Sequence, residues 1–459
     1  MKRLSFVPSP MGFFDRERTV AGPGFNRWLV PPAALAVHLS IGQVYAFSVF
    51  KLPLTKILGV TKSLPNDWTQ PELAWIFSLA IFFLGASAAV FGRWVERVGP
   101  RKTMFAAALC FGGGFIVSAF GVWWHQLWIV YLGYGVIGGC GLGLGYISPV
   151  STLVKWFPDR PGMATGMAIM GFGGGAFIGS NLSLLLMNTF KTAASTGVGK
   201  SFIALGLIYF CYMMFGSFIV RVPAEGWKPA GYVPPTSSRG LITAGNVTAT
   251  EAIRTPQFWL LWVVLCFNVT AGIGILEQAS PMIQEMFPGK ILAPAAGAFV
   301  ALLSLFNMAG RFIWSSLSDY TGRKAVYAIF LLLGAVLYCL IPIAGKNGSA
   351  IFFVGVCAVI ISMYGGGFAT VPAYLKDLFG TMQVGAIHGR LLTAWSAAGI
   401  LGPVLVNYIR QYLKDRGAAG VSLYAPTMYL MAGLLVIGLI CNLLVRPVAE
   451  QHYSKTTKP

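Results

Sequence analysis

A chain of 459 residues that is 56% hydrophobic and only 10% charged, with 33 Phe and 13 Trp, lies well outside the composition of a soluble globular protein. Apolar runs of about 20 residues recur from end to end, which makes the fold class an all-α membrane protein and leaves no room for a separate soluble domain. The formal charge of +19 would suggest a nucleic-acid partner, but the basic residues fall in the segments between apolar runs, where they report topology and an attraction to anionic lipid instead.

Taken in chain order, the hydrophobic pattern predicts twelve transmembrane helices at 28–50, 72–92, 103–122, 127–153, 162–187, 201–221, 257–282, 296–317, 325–343, 350–372, 384–409 and 424–445. The first span begins too far downstream, and is too long, to be the apolar core of a cleavable signal, so no removed leader is expected. Assigning alternate loops to alternate sides places 22 Lys and Arg on the side of both termini and 10 on the other, with Arg311 completing the total of 33. That asymmetry predicts cytoplasmic termini in a plasma membrane, the inner membrane of a bacterium. All seven cysteines fall within spans, where they pack as small apolar residues; no disulfide, metal site or cofactor is expected.

Two loops repeat a pattern. After span 2 the chain reads Gly92-Arg-Trp-Val-Glu96-Arg97-Val-Gly99-Pro-Arg101-Lys102; after span 8 it reads Ser315-Ser-Leu-Ser-Asp319-Tyr-Thr-Gly322-Arg323-Lys324. Each has an acidic residue, a glycine three later and then a basic pair, as a duplicated six-helix unit would produce. The predicted organisation is an N-terminal tail 1–27, a six-helix half 28–222, a Pro-, Ser- and Gly-rich cytoplasmic linker 223–255, a second six-helix half 256–446 and a tail 447–459. Glycines at 135, 139 and 143 in span 4, and at 171, 175 and 179 in span 5, recur every four residues on one face, which predicts close helix contacts. The run Gly141-Leu-Gly143-Leu-Gly145 has no preceding strand and no acidic residue at the spacing a dinucleotide loop needs.

The candidate site centres on Arg311, the one charged residue between Ile291 and Ser318. It precedes Asp319 by eight residues, about 12 Å of helix rise, which puts it near the middle of a bilayer whose half-thickness is about 15 Å. A cation at that depth costs at least ~2.5 kcal/mol and persists mainly where it faces a cavity and binds a counter-ion. Asn307 and Ser304 lie one and two turns earlier on the same face. A guanidinium offers a planar pair of donors that matches a carboxylate, which points to a small carboxylate anion as partner. Tyr45, Tyr146, Tyr364, Phe368 and Trp395 are the aromatic candidates for walls around it. His38 in span 1 and Glu277 near the outer end of span 7 are candidates for a coupled proton, and His388 is placed at the cytoplasmic mouth of span 11. No GxxxxGK[ST] loop, no H-E-x-x-H motif and no nucleophile with its base is present, so the chain reads as neither nucleotide-driven nor enzymatic.

The paired loops resemble the signature between helices 2–3 and 8–9 of the major facilitator superfamily, with Glu96 in place of the commoner Asp. That resemblance implies two six-helix halves, a midplane site, and gating by Glu96, Arg97, Arg101, Asp319 and Arg323. A narrower resemblance rests on Tyr45-Ala-Phe-Ser-Val-Phe-Lys-Leu-Pro-Leu54, on Lys155-Trp-Phe-Pro-Asp-Arg-Pro-Gly-Met-Ala-Thr-Gly166 and on Asn268-Val-Thr-Ala-Gly-Ile-Gly274. These stretches are similar to the oxalate/formate antiporter family, related to the monocarboxylate transporters, and imply that Arg311 anchors a substrate carboxylate. Two departures bear on substrate. Oxalate carriers place a Lys in helix 11 where this chain has Trp395, so a monoanion of the formate, lactate or pyruvate type fits better than oxalate. Proton-coupled monocarboxylate carriers commonly place an Asp where this chain has Asn307. The expected function is therefore exchange or proton symport of small monocarboxylates, the alternatives being an oxalate/formate exchanger or a transporter-like carboxylate sensor.

Overall fold

The structure is a computed structural model and describes residues 12–233, 240–291 and 293–455. Twelve helices among these residues are long and apolar enough to cross a membrane: α1 (Arg27–Ala46), α2 (Gln70–Val98), α3 (Pro100–Trp123), α4 (Leu127–Trp156), α5 (Pro161–Phe190), α6 (Val198–Ile219), α7 (Pro256–Leu276), α8 (Ala295–Thr321), α9 (Arg323–Lys346), α10 (Ala350–Phe379), α11 (Val384–Asp415) and α12 (Ala425–Leu444). Each corresponds to a predicted span. Most run past the predicted ends, as α10 does to Phe379, because a helix keeps its internal hydrogen bonds after its side chains have turned polar.

Large apolar side chains such as Trp75, Phe82, Val90, Leu185 and Ile351 are exposed on the outside of the bundle, as lipid contact requires, while small residues bring the helices together inside. The two glycine stripes have separate partners. A methyl group added at Gly143 would lie 2.3 Å from the Leu84 carbonyl oxygen of α2, and one added at Gly175 would lie 2.3 Å from the Leu39 carbonyl oxygen of α1. Three spans depart from regular α geometry. α1 closes with a tighter turn over Gly42–Ala46, α4 opens into a wider π-helical stretch over Tyr131–Gly138, and α11 is interrupted at Leu392.

With an even number of spans, the segments before α1 and after α12 lie on one face, where Val20 bridges to Val222 and Val247 to Tyr453. The paired loops sit on this face. Gly99 and Gly322, with φ of 82° and 87°, make the sharp turns into α3 and α9 in a region that L side chains rarely adopt. Glu96 and Asp319, three residues before each glycine, reach across the bundle. The Gly385 N–H at the start of α11 donates to Glu96 Oε1 (2.9 Å), which also accepts from Ser151 Oγ (2.8 Å); Lys155 pairs with the other oxygen. The Gly162 and Met163 N–H groups at the start of α5 donate to the two oxygens of Asp319 at 2.9 and 2.8 Å. Each carboxylate therefore caps a helix of the opposite six-span group, where exposed backbone donors and the helix dipole favour a negative charge. Arg323 holds Asp319 in place (2.6 Å) and also pairs with Asp377 (3.1 Å). The face bearing the termini is thus closed.

Candidate functional site

Arg311 is completely buried, half-way along α8, and its guanidinium is poorly satisfied. Nε donates to Asn307 Oδ1 one turn away (2.9 Å), and Nη1 reaches the Ile169 carbonyl of α5 at a long 3.5 Å. Nη2 has no acceptor. The head group lies between the rings of Phe172 on α5 and Phe368 on α10, 5.5 and 5.3 Å from their centres. Cation–π contacts of this kind are worth about 0.5–2 kcal/mol each, while desolvating a cation costs several kcal/mol. The rings do not offset the charge. Among the described residues no carboxylate pairs with Arg311.

The aromatic candidates converge around this cation. Trp395, three residues after the interruption in α11, has its ring 4.3 Å from Phe368, 5.4 Å from Phe172 and 5.4 Å from Tyr146. Tyr45, in the tight turn that ends α1, packs against Phe172 at 5.1 Å. Its hydroxyl shares a 3.0 Å hydrogen bond with the Tyr364 hydroxyl of α10. This contact joins the first six spans to the last six on the side of the site away from the termini. Tyr45 is partly exposed, whereas Tyr146, Tyr364, Phe368 and Trp395 are buried. The Tyr45 and Tyr146 hydroxyls both lie within electrostatic reach of Arg311.

The groups without partners share a chemical character. Arg311 Nη2, Trp395 Nε1 and the Tyr146 hydroxyl are all buried and able to donate, and none has a partner at full hydrogen-bond geometry, although the Tyr45 and Tyr146 hydroxyls lie beside Arg311 and the Tyr45 hydroxyl beside Trp395. Buried polar atoms are nearly always paired, so the cation's unpaired Nη2 and the two unpaired donors beside it stand out. Trp395→Phe keeps the aromatic packing and deletes one donor; a lost hydrogen bond to a charged ligand is worth about 1.5–3 kcal/mol, so anion affinity should fall by roughly 10- to 100-fold. Isothermal titration of wild type and variant with formate checks this.

Asn307 is engaged through its oxygen by Arg311. Ser304 bonds its own helix at Val300. His38 is buried, with Nδ1 bonded to the Ala34 carbonyl (3.1 Å) and Nε2 unpaired, and its ring lies 5.3 Å from that of Tyr146. The side chain of Glu277 lies outside the described residues. Glu96 and Asp319 form the cross-bundle contacts described above, with Arg323 holding Asp319 from within its own six-span group. Arg101 instead holds the N-terminal segment, donating to the Phe13 carbonyl (2.9 Å) and stacking over its ring, and Arg97 is exposed at the end of α2.

Sequence reasoning missed Phe172, although a single large ring within Gly171-Phe-Gly173-Gly-Gly175 was an available signal. His388, expected at a solvated mouth, is instead buried with both ring nitrogens unpaired, 5.8 Å from the Tyr146 ring. The capped start of α11 places it one turn inside the closed face.

Comparison with known proteins agrees with this architecture. The chain is 28% identical over 386 residues to the oxalate:formate antiporter of Oxalobacter formigenes, covering 82% of this chain and 83% of that protein. It is 24% identical over 430 residues to monocarboxylate transporter 11 of Homo sapiens, covering 91% and 84%. A crystal structure of the E. coli fucose:proton symporter FucP superimposes with a TM-score of 0.66 at 14% identity, over 91% of this chain and 99% of the other, which shows the shared fold. The family model of the Major Facilitator Superfamily matches residues 33–301 and again 290–459. With twelve spanning helices, paired loops and a buried central cation, the chain belongs to the Major Facilitator Superfamily and is an integral membrane secondary transporter rather than an enzyme.

Proposed function

We propose that this transporter carries small monocarboxylates, of the formate, lactate or pyruvate type, by anion exchange or proton symport with alternating access. One observation carries the reading: Arg311, with Nη2 unpaired and no carboxylate partner among the described residues, is accompanied by two further buried donors without a partner, Trp395 Nε1 and the Tyr146 hydroxyl. A single carboxylate group would neutralise Arg311 and use its free edge, while Phe172, Phe368 and Trp395 leave little room for a larger polar solute. The names of two relatives, an oxalate:formate antiporter and a monocarboxylate transporter, support the substrate class. A dianion facing Arg311 alone would keep one negative charge uncompensated in an apolar site.

In this reading α1–α6 and α7–α12 rock about the site. Glu96 and Asp319 lock the face bearing the termini, for which the excess of basic residues supports a cytoplasmic side, and the Tyr45–Tyr364 bond is the thinner closure on the other side. Tyr45→Phe removes that bond, worth about 1 kcal/mol and hence roughly fivefold in the occluded population. Faster exchange at saturating substrate, measured in proteoliposomes, is the expected result. The reading itself is tested by uptake of labelled formate into vesicles, with competition by lactate, pyruvate, acetate and oxalate at two pH values. Binding without accumulation or exchange would instead make the protein a sensor.

A further inference from the structure

Where the chain enters α3 and leaves α6, arginines gather at the closed face. Arg101, the second residue of α3, is 3% exposed. Its Nη1 donates to the Phe13 carbonyl (2.9 Å), its Nη2 reaches the Phe218 carbonyl of α6 (3.4 Å), and its Nε has no acceptor. Arg221, two residues past the end of α6, donates from Nη1 to the same Phe218 carbonyl (2.9 Å) and to those of Ile219 and Val220 (3.3 and 2.9 Å). Two guanidiniums therefore meet at one oxygen atom. Arg18, exposed on the N-terminal segment, lies within electrostatic reach of Arg101, and Lys102 is exposed beside it.

This positive charge is unmatched. Among the described residues no carboxylate pairs with Arg18, Arg101, Lys102 or Arg221. Of the acids nearest in sequence, Asp15 accepts from the Gly12 N–H (2.6 Å) and Glu17 is exposed. The last carbonyls of α6 supply about half an elementary charge against three guanidiniums. Basic residues that only set topology stand apart in water, whereas a buried one crowded by two others calls for a counter-charge. Among the described residues Arg221 donates through Nη1 only, which leaves its other edge open to an oxygen anion.

The surroundings indicate where that anion comes from. The Phe13 ring lies over the Arg101 guanidinium (4.6 Å) and edge-on to Phe218 (5.6 Å), and Phe14 packs on Phe105 of α3 (4.6 Å). Phe13, Leu109, Phe215 and Phe218 are all exposed. Exposed apolar side chains on α3 and α6 form a surface for lipid, and the arginines sit where it meets the closed face, at the depth of headgroups. From this arrangement we infer that the α3–α6 edge of the closed face binds the phosphate of an anionic phospholipid, whose acyl chains run along the outer surfaces of the same two helices. Arg18 and Arg221 take the phosphate oxygens; Arg101, behind them, adds its charge and fastens the N-terminal segment beside the site. A zwitterionic headgroup fits less well, because its ammonium adds a positive charge to three already crowded together. The site is independent of the Arg311 anchor.

The test uses the purified full-length carrier in a neutral detergent, its unfolding temperature titrated with dioctanoyl phosphatidylglycerol, dioctanoyl phosphatidylcholine and glycerol 1-phosphate. Phosphatidylglycerol should stabilise at a half-saturating concentration at least about tenfold below that of phosphatidylcholine, and glycerol 1-phosphate, a headgroup without chains, should do little at the same concentrations. Each lost charge-assisted hydrogen bond is worth roughly tenfold or more. Arg18→Gln combined with Arg221→Gln should therefore raise the phosphatidylglycerol value by about 100-fold and remove its advantage over phosphatidylcholine, with formate-dependent stabilisation unchanged. Arg18→Lys combined with Arg221→Lys keeps both charges and should keep most of that advantage, which separates loss of the site from a folding defect. Native mass spectrometry of the same samples should find one phosphatidylglycerol retained by wild type and lost from the glutamine variant. Equal half-saturation by the two lipids, or a preference for phosphatidylglycerol that survives both glutamine substitutions, overturns the inference. Glycerol 1-phosphate acting as well as phosphatidylglycerol also overturns it, since the site would then serve a soluble phosphate.

Discussion

Replacing Arg311 with alanine is expected to eliminate carboxylate exchange while leaving a folded, inserted protein. The guanidinium's free edge would form two charge-assisted hydrogen bonds to a carboxylate, each worth about 1.5–3 kcal/mol, so their loss corresponds to roughly 10²- to 10⁴-fold in affinity. Two effects on the fold oppose one another. Truncating a completely buried side chain opens a cavity and costs about 2–5 kcal/mol. Removing a cation held by Asn307, a distant carbonyl, two rings and the nearby Tyr45 and Tyr146 hydroxyls, with no carboxylate among the described residues, relieves a desolvation penalty of similar size. The thermal unfolding midpoint in detergent should therefore change little. Arg311→Lys retains the charge but loses the planar fork, and Gly365, whose added methyl group would lie 3.1 Å from Arg311 Cγ, shows how closely the stem is fitted. Intermediate activity is expected from Lys, none from Ala. Normal formate exchange by the alanine variant would dismiss the site.

A second large effect is expected from unlocking the face that bears the termini. Glu96 and Asp319 cap α11 and α5 across the bundle, so a combined Glu96→Gln and Asp319→Asn variant weakens three backbone contacts that exist only while this face is closed. Charged caps contribute about 1–2 kcal/mol each, and the pair should shift the balance toward the state open on this face by roughly 30- to 1,000-fold. The closed contacts are tight: a methyl group at Gly389 would lie 2.1 Å from the Ala88 carbonyl oxygen, and one at Gly162 would lie 2.2 Å from that of Ser315. Gly389→Leu should drive the same shift by wedging rather than by loss of a cap. Spin labels at positions 97 and 321, both exposed on this face, should report a longer mean distance in both variants. An unchanged distance distribution would show that neither contact governs closure.

Much of the architecture was legible before any coordinates. Spans announce themselves because a backbone in lipid must satisfy its own hydrogen bonds, and about 20 apolar residues in a row are the cheapest means of doing so. The predicted spans and the observed helices differ mainly at their ends, where hydrophobicity stops and helical hydrogen bonding does not. The duplicated Glu96 and Asp319 loops were legible for a related reason: a turn that requires positive φ needs glycine at a fixed distance from the cap, so the pattern survives in one dimension.

The site was only partly legible. Arg311 stood out because one charge in an apolar helix is conspicuous. Phe172 and His388 did not, because hydropathy has no sign for the direction in which a side chain points. His388 is four residues from the first residue of α11, a position that reads as solvated until the neighbouring helices bury it.

What the sequence determined by itself is the membrane fold, the duplicated loops and the one deep cation, since each follows from interactions along a single helix or turn. What only the tertiary structure decided is which donors beside Arg311 lack a partner and which carboxylates cap helices across the closed face. Those depend on side chains from α1, α4, α5, α8, α10 and α11 meeting at a point, and burial removes the water that would otherwise have satisfied each of them separately.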